Sequence, residues 1–305
     1  MTIFIRGLIF LATLTLLGIY GLECFVLWPA TSETRIVSKC FSGWARSCLL
    51  GLFIATVADL LHRASDMTGG WSLSLRAIHP ILFMTHVGHV WIFRGTLLII
   101  LLLIENFDMV GLKFLRMSLA VALGITIALT GHAAKQGDFT VATLMDTVHV
   151  IAAGLWVGGL FSLTVALRND LKPISPDTLA RIVPRFSTLA GSGLFAVVIG
   201  GSYNAWISLP NVAALWSTTY GRILSAKLLA VSILVIFGAL NRYRVLPRLK
   251  NRQTEAKVLF AEWIKREVWA AVFVLGLTAI LCETIPARHA GHTGENSGLS
   301  GKKQK

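Results

Sequence analysis

Eight histidines set the chemistry of this 305-residue chain, because neutral imidazole is the commonest metal ligand. His86 and His89 are three residues apart and Met145 and His149 four apart, so on helices each pair shares a face. Asp146, three before His149, can orient that ring as a carboxylate acceptor or bind a metal itself. Met84, close to His86, adds a soft thioether of the kind that favours Cu(I), whereas imidazole alone suits copper, zinc, iron and nickel. The candidate ligand set is therefore His132, His149, His86, His89, Asp146, Met145 and Met84. At His62 and His79 a plain helix-end role facing water competes with ligation, and for His289 and His292 a solvated tail does.

A second candidate group is thiol-based. Glu23 and Cys24 lie near Cys40 and Cys48 in the expected topology, but buried cysteine is more often inert packing than ligand. The four cysteines contain no CxxC pair and no disulfide framework.

The elements that must position these residues follow from composition. The chain is 55% hydrophobic and 14% charged, with a mean hydropathy of +0.70. Soluble domains carry roughly 25% charged residues, so too little charge is present to coat a water-facing surface. Apolar runs long enough to cross a bilayer fall near 3–28, 40–61, 87–104, 114–133, 144–167, 186–209, 223–240 and 268–285. The expected fold is all-α: a polytopic membrane domain of about eight helices over 1–285, with a disordered tail over 286–305. The first run is too long for a signal-peptide core and reads as a retained helix. The stretch 71–86 fits an interfacial helix, a re-entrant segment or a ninth span.

The net charge of +13 does not indicate nucleic acid, because the basic residues sit in short connections between apolar runs. Arg35, Lys39, Arg46, Lys113, Arg116, Arg168, Lys172, Arg181 and Arg185 occupy or flank the first, third and fifth connections. Arg242, Arg244, Arg248, Lys250, Arg252, Lys257, Lys265 and Arg266 fill the seventh. The positive-inside rule puts these connections in the cytoplasm and both termini outside. The histidines then all fall at the outer boundary or in the outer tail.

There is an internal echo. Thr85-His86-Val87-Gly88 followed by Arg94 matches Thr218-Thr219-Tyr220-Gly221 followed by Lys227. Such an echo would make the protein two four-helix halves of the same orientation, an arrangement found in transporters. Arg94 and Lys227 lie inside their spans, where charge is costly and usually paired or functional. Arg94 can pair with Asp59, near the outer end of the second span, or snorkel to the headgroups.

The segments Thr130-Gly131-His132-Ala133, Asp146-Thr147-Val148-His149 and Ala153-Gly154-Leu155-Trp156-Val157-Gly158-Gly159-Leu160 resemble the copper resistance D (CopD) family. So do Arg185-Phe186-Ser187 and Thr219-Tyr220-Gly221-Arg222-Ile223-Leu224 leading to Lys227. The likeness is clearest over 130–242. It implies a non-enzymatic copper-handling protein of the bacterial inner membrane, binding Cu(I) or Cu(II) and working with a separate periplasmic copper-binding protein of the CopC type. It supports His132 and His149 most directly. The competing function is a haem-b oxidoreductase using bis-His ligation. No P-loop is present, so transport would draw on the membrane potential, a gradient or delivery by the partner.

Overall fold

The computed structural model describes residues 2–28, 31–69, 71–107, 111–131, 134, 137–167, 175–245, 247–248, 254–284 and 287–288. His132, His289, His292 and the tail from 289 lie outside the described residues. Among the described residues every regular element is a helix. They are α1 (Thr2–Gly21), α2 (Ser32–Thr68), α3 (Trp71–Met84), α4 (His86–Ile104) and α5 (Leu112–Leu129). Then follow α6 (Val141–Ala166), α7 (Pro176–Ser208), α8 (Ala214–Ser217), α9 (Thr219–Leu240) and α10 (Thr254–Glu283).

Six of these helices (α1, α2, α4, α6, α7 and α9) are long and apolar enough to cross a membrane. The expected spans near 114–133 and 268–285 are also helical, as α5 and α10, but are not among those six. The segment 71–86 is resolved by length. The 14 residues of α3 extend only about 21 Å at 1.5 Å per residue, short of the ~30 Å hydrocarbon core.

Local sequence explains where helices begin and end. Thr31 and Thr34 form a capping box at the start of α2, and Gly69, with φ of 71°, ends it in the left-handed region. This helix therefore starts eight residues before the expected 40–61 run and passes well beyond it, because its capping signals lie outside the apolar stretch. Ser175 caps α7, with proline at its first turn.

The core is organised around α1. Leu14, Leu16, Leu17, Ile19 and Tyr20 are shut off from solvent, and α1 packs against α2, α5, α6 and α10. A helix apolar all round is a buried one. Its tightest contact is a crossing of small residues. A Cβ added at Gly18 would lie 2.0 Å from the Gly158 carbonyl carbon, and one at Gly158 would lie 1.8 Å from the Leu14 carbonyl oxygen. The α6 backbone widens into a π-turn over Gly154–Gly158 at this crossing.

The echoed motifs share one geometry. Thr85 accepts from Gly88 N at 3.0 Å and donates to the Ile81 carbonyl at 2.6 Å. Thr218 accepts from Gly221 N at 3.0 Å and donates to the Ala214 carbonyl at 2.7 Å. In each, a preceding short helix rests on the glycine: a Cβ would come within 2.0 Å of the Ile81 oxygen at Gly88 and within 1.9 Å of the Ala214 oxygen at Gly221. Any residue but glycine at either position would drive the two helices apart.

Candidate metal site at the histidine end

Helix alternation gathers the C-terminal ends of α2, α5, α7 and α10 with the N-terminal ends of α4, α6 and α9. This is the histidine end. The opposite, basic end carries the residues expected in the cytoplasm.

The best-defined histidine is His149 on α6. Its Nδ1 lies 3.1 Å from the Val197 carbonyl of α7. A carbonyl can only accept, so Nδ1 carries the hydrogen, and a neutral ring then bears its lone pair on Nε2. That is the tautomer a metal site needs, fixed by an outer hydrogen bond. Two glycines of α7 make room for the ring. A Cβ at Gly200 would meet the His149 Cβ at 3.0 Å, and one at Gly201 would meet His149 Cε1 at 3.1 Å.

One turn earlier, the Asp146 carboxylate is held from two sides. Asn204 of α7 donates through Nδ2 to Asp146 Oδ1 at 3.0 Å. Oδ2 lies 3.3 Å from where a Cβ of Gly131 would stand, so the carboxylate rests against the chain immediately before His132. Lys227 of α9 lies within electrostatic reach of His149, Asp146 and Cys282. Met145, half-buried, shares the helix face of His149. Asp146, His149 and Asn204 thus form a polar cluster between α6 and α7, with Lys227 of α9 in electrostatic reach of it.

The other expected ligands sit apart from this cluster. His86 is the first residue of α4 and pairs through Nε2 with Asp138 Oδ2 at 2.8 Å, both partly exposed. His89 and Met84 are also exposed, Met84 at 76%. His79 stacks on Phe83 with ring centroids 5.0 Å apart, and His62 pairs with Asp66 at 3.1 Å. No group of three or more His, Cys, Asp or Glu side chains among the described residues is gathered tightly enough to hold a metal.

Arg94 differs from its expectation. It is 2% exposed and gives its hydrogen bonds to α5: Nε to Thr126 Oγ1 at 2.9 Å, and Nη2 to the Thr126 carbonyl at 2.8 Å and Thr130 Oγ1 at 3.3 Å. Asp59 instead bonds Arg63, one turn on, at 3.3 Å. At the basic end, Cys24 Sγ donates to the Lys113 carbonyl at 3.3 Å and Ser38 donates to Glu23 at 2.6 Å. The Cys24 thiol and the Glu23 carboxylate are therefore engaged in structure.

Sequence reasoning missed Asn204 and Asp138. A lone asparagine in the apolar run of α7 was the available signal, since polar side chains inside spans usually face partners. Asp138 carried none, because its role depends on a loop meeting α4. The motif Arg185-Phe186-Ser187 proves structural: Arg185 donates to the Trp28 carbonyl, Phe186 lies against Gly159, and Ser187 accepts from Arg242 at 2.8 Å.

This architecture defines a polytopic helical membrane protein with a cluster of polar side chains at one end of its bundle. Comparison with known proteins identifies the class more closely. The family model described as copper resistance protein D matches residues 180–281, and the copper resistance protein D-like N-terminal domain matches residues 1–141. The chain belongs to the copper resistance D family. It is 30% identical over 253 residues to the copper transport protein CutJ of Bacillus subtilis, covering 78% of this chain and 45% of that one. It is 24% identical to the inner membrane protein YebZ of Escherichia coli, over 89% of this chain and 94% of the relative. It is 27% identical to copper resistance protein D of Pseudomonas syringae pv. tomato, over 90% and 94% respectively. The chain thus spans under half the length of the CutJ relative and nearly all of the other two. No solved structure is detectably similar to it. None of these names is that of a haem protein, and the haem-b reading finds no support.

Proposed function

We propose that this protein moves copper across the bacterial inner membrane, taking it up at the histidine end and releasing it at the basic end. The observation that carries this reading is the preset His149–Asp146 pair. The Val197 carbonyl fixes the imidazole tautomer and Asn204 fixes the carboxylate, inside a chain of copper resistance kinship. In this reading Nε2 of His149, a carboxylate oxygen of Asp146, the Met145 thioether and His132, next to Gly131, form the copper site. Imidazole, carboxylate and thioether together accept Cu(I) or Cu(II). His86, His89 and Met84 form an exposed first contact, where a periplasmic CopC-like protein hands copper over. The basic end faces the cytoplasm by the positive-inside rule, and both termini are periplasmic.

The test is copper accumulation by cells expressing the full chain. His149→Ala and Asp146→Ala should each abolish copper-dependent accumulation while the protein still inserts in the membrane. Accumulation equal to wild type in the combined variant would overturn the site.

A further inference from the structure

At the basic end, α6, α7, α9 and α10 enclose a cavity of about 200 Å³. Its wall is largely apolar, with Trp156, Phe186 and Phe260, but one arc is polar: Asn241, Arg242 and Glu267. Trp156 lies seven residues after His149 on the same helix, and both side chains face α7, at Gly193 and Gly200 respectively, so the cavity begins about 10 Å along the helix from the proposed copper site.

Glu267 is 6% exposed, a carboxyl that needs compensation when buried at a membrane boundary. Asn241 Nδ2 donates to its Oε1 at 3.0 Å. Asn241 Oδ1, in contrast, is buried without any donor, and a buried acceptor left unmatched is destabilising. The other titratable groups lining the cavity are Arg242 and Tyr243, both from the end of α9; α6 and α7 contribute none. Arg242 is committed to Ser187, donating to its carbonyl at 3.0 Å and its hydroxyl at 2.8 Å. A donor for Asn241 Oδ1 is then supplied most simply by Glu267 itself. When it binds a proton, its O–H can donate to Asn241 Oδ1 while its other oxygen accepts from Nδ2, the reciprocal pairing of an acid with an amide. Asn241 also sits in a π-turn, Asn241–Val245, a backbone irregularity frequent at functional sites.

We propose that Glu267 is the proton-binding carboxyl of an inner chamber, taking its proton from the cytoplasmic side and coupling proton movement to copper passage. The bond formed is O–H on the Glu267 carboxyl and the bond broken is an O–H of hydronium carried by water in the chamber, which has room for several molecules; neutral water is left behind, and the reverse step returns the proton on release. The coupling rests on the copper-transport reading, whereas the proton site does not.

Two measurements separate these claims. Infrared pH-difference spectra of the purified full-length protein should contain the C=O stretch of a protonated carboxylic acid. That band should be lost in Glu267→Gln, moved in Glu267→Asp and in Asn241→Leu, and unchanged in His149→Ala. A Glu267→Gln spectrum identical to wild type would overturn the proton site. In proteoliposomes, copper uptake by wild type should depend on internal pH and uptake by Glu267→Gln should not. A pH-dependent Glu267→Gln profile, or loss of a bound copper from that variant, would overturn the proposal. Absence of copper uptake by wild type would instead defeat the transport reading and leave the infrared result standing.

Discussion

Arg94 and Lys227 stand at matching places, each six residues past a glycine that seats a short helix, yet their surroundings differ in kind. Arg94 gives three hydrogen bonds to Thr126 and Thr130 on the next helix. Lys227 lies within electrostatic reach of His149, Asp146 and Cys282, groups with ligand capacity. The planar guanidinium with five donors suits a fixed, fully bonded role, and the compact ammonium suits a site whose electrostatics must respond to an arriving charge. One scaffold, used twice, carries a structural cation in the first half and a chemical cluster in the second.

The comparison breaks first if the shared scaffold is removed. Gly158→Leu would force a side chain into the Leu14 backbone, and overpacking of this severity should cost about 3 kcal/mol or more; the check is loss of folded protein in detergent. Next in size is Asn204→Leu, which takes one hydrogen bond from Asp146 without removing a ligand. Removing such a supporting partner should weaken copper binding by about 10–100-fold, read by competition with a copper chelator. Thr126→Val in the first half takes a hydroxyl from Arg94 and should cost about 1.5–3 kcal/mol of stability in denaturant unfolding, with copper affinity unchanged. The smallest effect is expected from His86→Ala. It should slow copper capture from dilute solution in uptake assays and leave affinity at equilibrium as in wild type. A Thr126 variant that loses copper, or an Asn204 variant that keeps it, would erase the distinction between the halves.

Much of this arrangement can be read in the chain itself. Long apolar runs and segregated basic residues define a polytopic helical bundle, and the T-x-x-G echo marks two places that do share one geometry. His149 and Asp146 are legible because four- and three-residue spacings place them on one helix face with Met145. What was illegible depends on meetings between helices. Nothing in a one-dimensional pattern says that Val197 offers its carbonyl to His149, or that Thr126 rather than Asp59 binds Arg94. The extent of α2 was missed for a related reason: capping by Thr31 and Gly69 sets its ends, and hydropathy does not register caps. The Glu267–Asn241 pair was hidden because its members lie in a stretch dominated by positive charge.

The central claim is that the cluster on α6 binds copper through His149. Copper K-edge X-ray absorption on the purified, copper-loaded protein tests it most directly, with His149→Ala and Thr126→Val measured beside wild type. The account predicts imidazole scattering in wild type and Thr126→Val, and loss of the bound copper or of that imidazole contribution in His149→Ala. Unaltered copper content and imidazole scattering in His149→Ala would contradict it.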